Sequence, residues 1–194
     1  MKVKLLKSFP QEVATCLVHS ENGKSISIGD LIEGRATLIL FIRHFGCIGC
    51  SENIGLISPR FMDLSELGVR IIIIGCGAQL FIEGFKERHH LLFSPAEIYS
   101  DDSLRSHQAA GLMYSAWGGF RPRALYEMAR AYVAGYTSNG IEGDIKQQAG
   151  AIFVDAQGIV QLYHRNTSLG DHVSAQKVIH VALNSLINTN LDAI

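Results

Sequence analysis

The sequence predicts an α/β domain built on a central mixed β-sheet with helices on both faces. Two largely apolar segments, residues 36–42 and 69–76, have the length and composition of buried parallel strands. Between them, residues 47–67 carry apolar side chains at helical spacing. A strand, a helix and a second strand in this order form a right-handed βαβ unit with parallel strands. The other elements extend this unit into one sheet.

Composition predicts a single globular domain over residues 1–194, because 47% of the residues are hydrophobic and 18% are charged. The formal net charge is −1, which gives no indication of a nucleic-acid partner. Lys7, Gln11 and Glu12 interrupt the apolar character of the N-terminal segment. We therefore expect no signal peptide, no transmembrane helix and no membrane partner, and a cytoplasmic protein.

A β-hairpin is predicted near the N-terminus. Asn22 and Gly23 form a turn signal, because Asn-Gly suits a turn that requires positive φ. The turn would join strands over residues 13–19 and 24–28. Isoleucines alternate with serines in the second strand, as expected for a strand with one buried face. A short helical turn is predicted at residues 29–34.

The remaining elements follow from periodicity and turn signals. Pro59 is expected to kink or divide the helix of residues 47–67. Further elements are a helix over 79–90, a strand over 98–101, a helix over 102–113, a closing hairpin of residues 149–154 and 159–164, and a final amphipathic helix over 174–187. Residues 114–148 are rich in Gly, Arg and aromatic residues and interrupt this alternation. We interpret them as an insertion that covers another part of the fold.

The first buried strand leads into the segment RHFGCIGCS, which contains Cys47 and Cys50. A helix N-terminus offers unpaired N–H groups and partial positive charge, so a sulfur placed there ionises more easily. In one interpretation Cys47 is the more exposed thiolate of the two, and Cys50, one turn further on, resolves the intermediate as a redox-active disulfide. In another, Cys50 attacks a peroxide and Cys47 captures the resulting sulfenic acid.

Two residues beside the pair are candidates for supporting roles. Arg43 would stabilise a thiolate or hold a substrate anion, and the alternative is a salt bridge to Glu52. His44 is either a partner of the thiolate or a solvated turn residue.

Cys76 and Gln148 complete the candidate site. Cys76 ends the second buried strand, at the edge where the cysteine pair leaves the first. It is either an auxiliary resolving thiol or a small turn residue. Gln148 precedes the closing hairpin and is predicted to line the pocket. Zinc would need two ligands besides the pair, for which His44 and Cys76 are candidates. The usual second ligand pair is absent, so no metal is predicted.

These features resemble the thioredoxin-like superfamily, and within it the peroxiredoxin-type AhpC/TSA family. The hairpin over a glycine turn, the buried strand feeding the cysteines, the segment GVRIIIIG and the closing hairpin are similar to that family's core. An F-x-R-x-x-x-C-x-x-C motif starting at Phe41 and a Q-Q-x-G stretch starting at Gln147 resemble one subgroup. The resemblance covers nearly the whole chain except the insertion.

The resemblance implies a thioredoxin-like fold and a thiol-dependent antioxidant oxidoreductase. It implies a peroxide or a protein disulfide as substrate, and a dithiol reductant such as a thioredoxin or glutaredoxin as electron donor. No bound organic cofactor is implied, and a homodimer is compatible with the family. The alternative from a different class is a thioredoxin-fold binding or regulatory module whose cysteines do not turn over.

Two family patterns assign the nucleophile differently. On the peroxiredoxin pattern Pro-x-x-x-Thr/Ser-x-x-Cys, Arg43 stands at the Pro, Cys47 at the Thr and Cys50 at the peroxidatic Cys. On the thioredoxin pattern Cys-Gly-Pro-Cys, which here reads Cys-Ile-Gly-Cys, Cys47 is the nucleophile.

Overall fold

A seven-stranded mixed β-sheet forms the centre of the structure, a computed structural model that describes residues 7–112, 114 and 122–191. Its strands are β1 (Leu17–Ser20), β2 (Ser25–Ser27), β3 (Thr37–Ile42), β4 (Arg70–Gly75), β5 (Ala96–Ser100), β6 (Gly150–Val154) and β7 (Val160–Arg165). Their order across the sheet is β2-β1-β5-β4-β3-β6-β7. Strands β3, β4 and β5 run parallel, and every other neighbouring pair is antiparallel.

Eight α-helices in the described part of the chain surround this sheet. They are α1 (Gln11–Ala14), α2 (Ile28–Ile32), α3 (Ile48–Ile57), α4 (Phe61–Glu66), α5 (Phe81–Arg88), α6 (Arg105–Ala109), α7 (Pro122–Val133) and α8 (Ala175–Leu191). A 3-10 turn, Ser58–Arg60, joins α3 to α4.

Alternate residues of β3 belong to two different hydrophobic clusters. Leu38, Leu40 and Ile42 pack in the cluster that includes α3, α4, α5 and α8. Ile39 and Phe41 pack in the cluster that includes α1 and α2. Because successive side chains of a strand point to opposite faces, this alternation confirms that helices cover both faces of the sheet.

The parallel pairing of β3 with β4 positions the cysteine-bearing turn. Ile42, the last residue of β3, lies opposite Gly75, the last residue of β4. The turns that follow the two strands therefore leave the sheet at the same edge. A hydrogen bond of 3.0 Å between His107 Nε2 and the carbonyl oxygen of Ile42 ties the end of β3 to α6.

The predicted N-terminal hairpin is confirmed, but it is shorter than expected. Its strands are β1 and β2, whereas residues 13 and 14 belong to α1. Pro10, at φ −62°, leads the chain into this helical turn. Burial of Val13 in the second cluster then stabilises the turn against the extended conformation that the local sequence favours.

The predicted helix over residues 47–67 is divided, as Pro59 indicated, because this proline lies in the 3-10 turn between α3 and α4. The predicted helix over residues 102–113 is wrong at both ends. The carboxylate of Asp101 accepts hydrogen bonds from the side chains of Ser103 and Ser106 and delays the helix start to Arg105. Gly111, at φ +57°, follows the helix end.

The predicted insertion contributes α7, which packs against α3. Helix α7 faces α3 with small side chains, including Ala131, which is fully buried. The ring of Tyr136 occupies the space where a side chain at Gly55 would lie. Residues 113 and 115–121 of the insertion lie outside the described residues.

None of the helices in the described part of the chain combines the length and the hydropathy that crossing a membrane requires.

Replacing Phe153 by Ala should lower the free energy of unfolding by about 3–5 kcal/mol, because this ring is fully buried in β6 and its loss leaves a cavity. Phe93→Ala is the matched control. That ring is 98% exposed, so its removal should change stability by less than about 0.5 kcal/mol. Urea denaturation followed by circular dichroism measures both values. Equal losses would contradict the described packing.

Candidate active site

The turn from β3 to α3 places both cysteines at a helix N-terminus. Cys47 is the N-cap residue of α3, with extended backbone angles of φ −75° and ψ 124°, and Cys50 lies one turn inside the helix. The backbone N–H groups of Gly49 and Cys50 lie at this helix end and contribute to lowering the pKa of Cys47. These groups have no partner within the helix, so they are available to a thiolate. All four cysteines of the chain are free thiols.

The two thiols differ in acidity because one donates to the other. A hydrogen bond from the Cys50 side chain lowers the pKa of Cys47 to about 7, with support from Arg43 and against the effect of burial. Burial, together with this hydrogen bond to Cys47, raises the pKa of Cys50 well above its ordinary value. Near neutral pH about half of Cys47 is therefore a thiolate, whereas Cys50 remains a thiol.

Arg43 is a buried link between this turn and a distant part of the chain. Its Nε donates to the carbonyl oxygen of Gln147 at 2.9 Å, and its Nη2 donates to that of Ile145 at 2.7 Å. Its backbone N–H donates to the sulfur of Cys50 at 3.1 Å. The alternative of a salt bridge to Glu52 is wrong. That carboxylate lies on α3 and pairs with Arg130 of α7 at 2.6 Å.

His44 is buried, with 6% of its surface exposed, so its interpretation as a solvated turn residue is wrong. Burial, with a contribution from Arg43, lowers the pKa of His44 to about 4, and the ring is neutral at pH 7. Its Nδ1 has no hydrogen-bond partner among the described residues. Gln148 is also buried, immediately before the start of β6.

Cys76 follows β4 at the same sheet edge as the cysteine pair, as predicted. Its sulfur accepts a hydrogen bond from the backbone N–H of Asp144 at 3.0 Å. Burial nevertheless raises the pKa of Cys76 to about 11. At neutral pH it is a protonated thiol fixed against the loop that contains Asp144.

Residues 137–147, here called the strap, lie over the cysteine-bearing turn. Ser138 Oγ and the backbone N–H of Asn139 both donate to the carbonyl oxygen of Gly46, at 2.9 and 3.2 Å. A side chain at Gly46 would collide with the carbonyl oxygen of Gly140. The end of the predicted insertion thus covers the turn, and Cys47 is only 5% exposed.

Sequence reasoning missed the residues that anchor the strap. Glu142 pairs with Arg88 of α5 at 2.7 Å, and the same Arg88 nitrogen lies 3.3 Å from the carbonyl oxygen of Phe45. Gly143, at φ +146°, packs against the Cβ of His44 and the carbonyl group of Cys76. Glycines near Glu142 were the one signal in the sequence, because a strap that approaches backbone closely needs them.

The zinc alternative finds no geometric support. Among the described residues, no group of three or more His, Cys, Asp or Glu side chains is arranged to hold a metal ion. The sulfurs of Cys50 and Cys76 instead accept backbone hydrogen bonds from Arg43 and Asp144.

A family model described as AhpC/TSA antioxidant enzyme matches residues 56–168. This is more than half of the chain, and it includes Cys76 and Gln148. The matched segment begins after Cys47 and Cys50, so the assignment of roles to these two cysteines depends on the geometry described above.

Curated relatives are similar over most of the chain. Peroxiredoxin-like 2C from Takifugu rubripes is 27% identical over 185 residues, which cover 89% of this chain and 80% of the relative. Prostamide/prostaglandin F synthase from Xenopus tropicalis is 29% identical over 181 residues, covering 87% of this chain and 85% of the relative.

Among solved structures, reduced Prx3 from Vibrio vulnificus in complex with H2O2 is similar, with a TM-score of 0.65 and 16% identity. The superposition covers 94% of this chain and 99% of the other. This likeness confirms the predicted peroxiredoxin-type, thioredoxin-like α/β fold.

The alkylation rate of Cys47 should rise with pH around a midpoint near 7, because only the thiolate reacts. At pH 7 about half of Cys47 is ionised, against about 1% of a thiol with an ordinary pKa near 9. Iodoacetamide labelling with peptide mass spectrometry measures the profile. Cys50→Ala removes the donated hydrogen bond and should shift the midpoint upward, whereas Cys16→Ala should leave it unchanged. An unshifted Cys50→Ala profile would contradict the described hydrogen bond.

Arg43→Met should lower the free energy of unfolding by about 2–4 kcal/mol, since it leaves one buried and one part-buried carbonyl group of the strap without their donor. It should also raise the pKa of Cys47, because a nearby positive charge is lost. Chemical denaturation and the same labelling profile measure the two effects. Arg60→Met, which removes an exposed arginine, is the control and should change neither.

Proposed function

Because the chain belongs to the AhpC/TSA antioxidant enzyme family, we propose that it is a thiol-dependent oxidoreductase in which Cys47 attacks and Cys50 resolves. Membership of this family supports a thioredoxin-type redox function. One observation carries the assignment of roles: Cys47 is the N-cap residue of α3 and Cys50 lies one turn inside the helix, and with this placement the pKa of Cys47 is lowered while that of Cys50 is raised. The roles follow the thioredoxin order, with the N-terminal cysteine as nucleophile.

The proposed reaction is the reduction of a peroxide. The Cys47 thiolate attacks one peroxide oxygen and the O–O bond breaks, giving a sulfenic acid and an alkoxide or hydroxide that takes up a proton. Cys50 then attacks the Cys47 sulfur, so that an S–S bond forms and the S–O bond breaks. The leaving hydroxide takes the Cys50 proton and becomes water. A dithiol partner reduces the disulfide by exchange and is itself oxidised.

The alternative assignment, with Cys50 as the attacking sulfur, agrees less well with the geometry. Cys50 is 2% exposed and lies inside the helix, and its raised pKa keeps it protonated near neutral pH. A protonated thiol is a poor nucleophile. As a resolving group the same thiol is well placed, because it already contacts the sulfur that it must attack.

The other candidate residues are assigned supporting roles. Arg43 stabilises the thiolate electrostatically, and its Nε and Nη2 donors are already engaged with the strap, which argues against substrate-anion binding. His44 is neutral and offers an unpartnered Nδ1 beside the turn for a substrate oxygen. We retain Gln148 as a pocket-lining residue. Cys76 is retained as an auxiliary thiol that acts only if the strap moves.

Thiol–disulfide exchange is the second candidate, and it uses the same nucleophile. A low pKa at the first cysteine of a CxxC pair at a helix N-terminus is typical of that chemistry. In this case Cys47 attacks a protein disulfide rather than a peroxide. For both reactions we propose a thioredoxin or glutaredoxin as the dithiol partner, and a cytoplasmic location where such donors are kept reduced.

The test measures oxidation of the reduced protein by hydrogen peroxide, by cumene hydroperoxide and by a protein disulfide. Free thiols and intact mass are followed with time for the wild type, Cys47→Ser, Cys50→Ser and the control Cys16→Ser. We expect the wild type and Cys16→Ser to form an internal disulfide faster than free cysteine is oxidised. Cys50→Ser should stop at a sulfenate that dimedone traps at residue 47, and Cys47→Ser should be inert.

The outcomes separate the candidates. Rapid oxidation by either peroxide supports peroxide reduction, and rapid reaction with the protein disulfide alone supports exchange. A sulfenate at Cys50 in Cys47→Ser would reverse the roles. If no oxidant reacts with the wild type faster than with free cysteine, the catalytic proposal fails and the non-catalytic binding module takes its place.

A further inference from the structure

A cavity of about 820 Å³ lies beside the cysteine-bearing turn, and the proposed redox steps do not use it. Its walls come from α3, α4, the end of α5, residues 91–95 and residues 135–139. Phe45 and Gly46 belong both to this cavity and to the turn, whereas Cys47 is not one of the described residues that line it. The volume lies in the range of sites for small organic ligands.

The lining combines apolar side chains with three serines, two histidines, Thr137, Asn139 and a single arginine. Much of the apolar part comes from four side chains, of which Phe93 is 98% exposed: Phe61, Met62, Leu91 and Phe93. None of the described lining residues is acidic. Arg88 supplies a fixed positive charge. The chemistry therefore suits an organic anion with an apolar tail, such as a medium-chain carboxylate.

The positive charge of Arg88 is paired with the carboxylate of Glu142, a residue of the strap. Its Nη2 donates to the carboxylate of Glu142 at 2.7 Å. Glu142 is the point at which the middle of the strap is fastened to α5, and it lies between Gly140 and Gly143, both at positive φ. Glycines on both sides give this part of the strap backbone freedom to move. Glu142 thus occupies the position that the carboxylate of a ligand would take.

We propose that the cavity binds an organic carboxylate with an apolar tail, which replaces Glu142 on Arg88, loosens the strap and uncovers Cys47. The ligand regulates access to the thiol and is not itself the oxidant. The inference rests on the proposed function in that Cys47 is taken as the reactive thiol. Binding at Arg88 does not depend on redox turnover.

The binding arm of the test uses decanoate as the probe and 1-decanol as its uncharged counterpart. Isothermal titration calorimetry should detect decanoate binding to the wild type, and Arg88→Gln should weaken it at least tenfold, or about 1.4 kcal/mol. Arg60→Gln is the matched control, since it removes an exposed arginine that does not line the cavity. Equal affinities for decanol and decanoate, undiminished binding by Arg88→Gln, or no decanoate binding would each overturn the proposal.

The access arm follows iodoacetamide labelling of Cys47 in the fully reduced protein. Saturating decanoate should speed labelling of the wild type several-fold. Glu142→Gln should be labelled quickly without decanoate and respond little to it. Glu87→Gln replaces an exposed glutamate on α5, the helix that carries Arg88, and should behave as the wild type. If neither decanoate nor Glu142→Gln changes the labelling rate of Cys47, the proposed coupling of the cavity to the strap is wrong.

The two proposals fail separately. Labelling by iodoacetamide needs neither a peroxide nor a reductant. If the protein binds decanoate and uncovers Cys47 but does not react with oxidants, only the catalytic proposal is refuted. If the protein reduces peroxide but shows no Arg88-dependent decanoate binding, only the cavity proposal is refuted.

Discussion

The buried guanidinium of Arg43 is the interaction on which the site depends. It follows β3 directly, and its Nε and Nη2 donate to the carbonyl groups of Gln147 and Ile145. The same residue donates its backbone N–H to Cys50 and lowers the pKa of Cys47. A buried charge is tolerated only where its donors are satisfied, so the strap and the thiolate both contribute to keeping this arginine in place. Arg43 therefore connects the end of β3 to the strap and also affects the reactivity of Cys47.

The thiol of Cys47 has a lowered pKa and is also buried. The helix N-terminus and Cys50 favour the thiolate at Cys47, while this residue is only 5% exposed and the strap lies over the turn that carries it. Covering a thiolate protects it from non-specific oxidation, since susceptibility follows exposure as well as pKa. Any reaction with a bulky substrate then requires the strap to move. The ion pair between Arg88 and Glu142 is partly buried and lies between glycines of the strap.

Strand positions were predictable wherever burial dominates. The apolar segments that became β3 and β4, the helix division at Pro59 and the closing hairpin all appear where local sequence placed them. The errors lie where a tertiary contact overrides local preference. Val13 is helical because it packs under the sheet, and the helix after Asp101 starts late because that carboxylate holds the preceding turn. Arg43 pairs with backbone 102 and 104 residues away rather than with nearby Glu52.

By itself the sequence determined the fold class and the delivery of two cysteines to a helix N-terminus, because both depend on local periodicity and on spacing. Only the tertiary structure distinguishes the acidity of Cys47 from that of Cys50, since both pKa values depend on burial, on the interaction between the two thiols and on Arg43. It also decided that residues 137–147 cover the site. Contacts between segments 92 to 104 residues apart leave no periodic signal in the sequence, and the pKa of a buried thiol depends on such contacts.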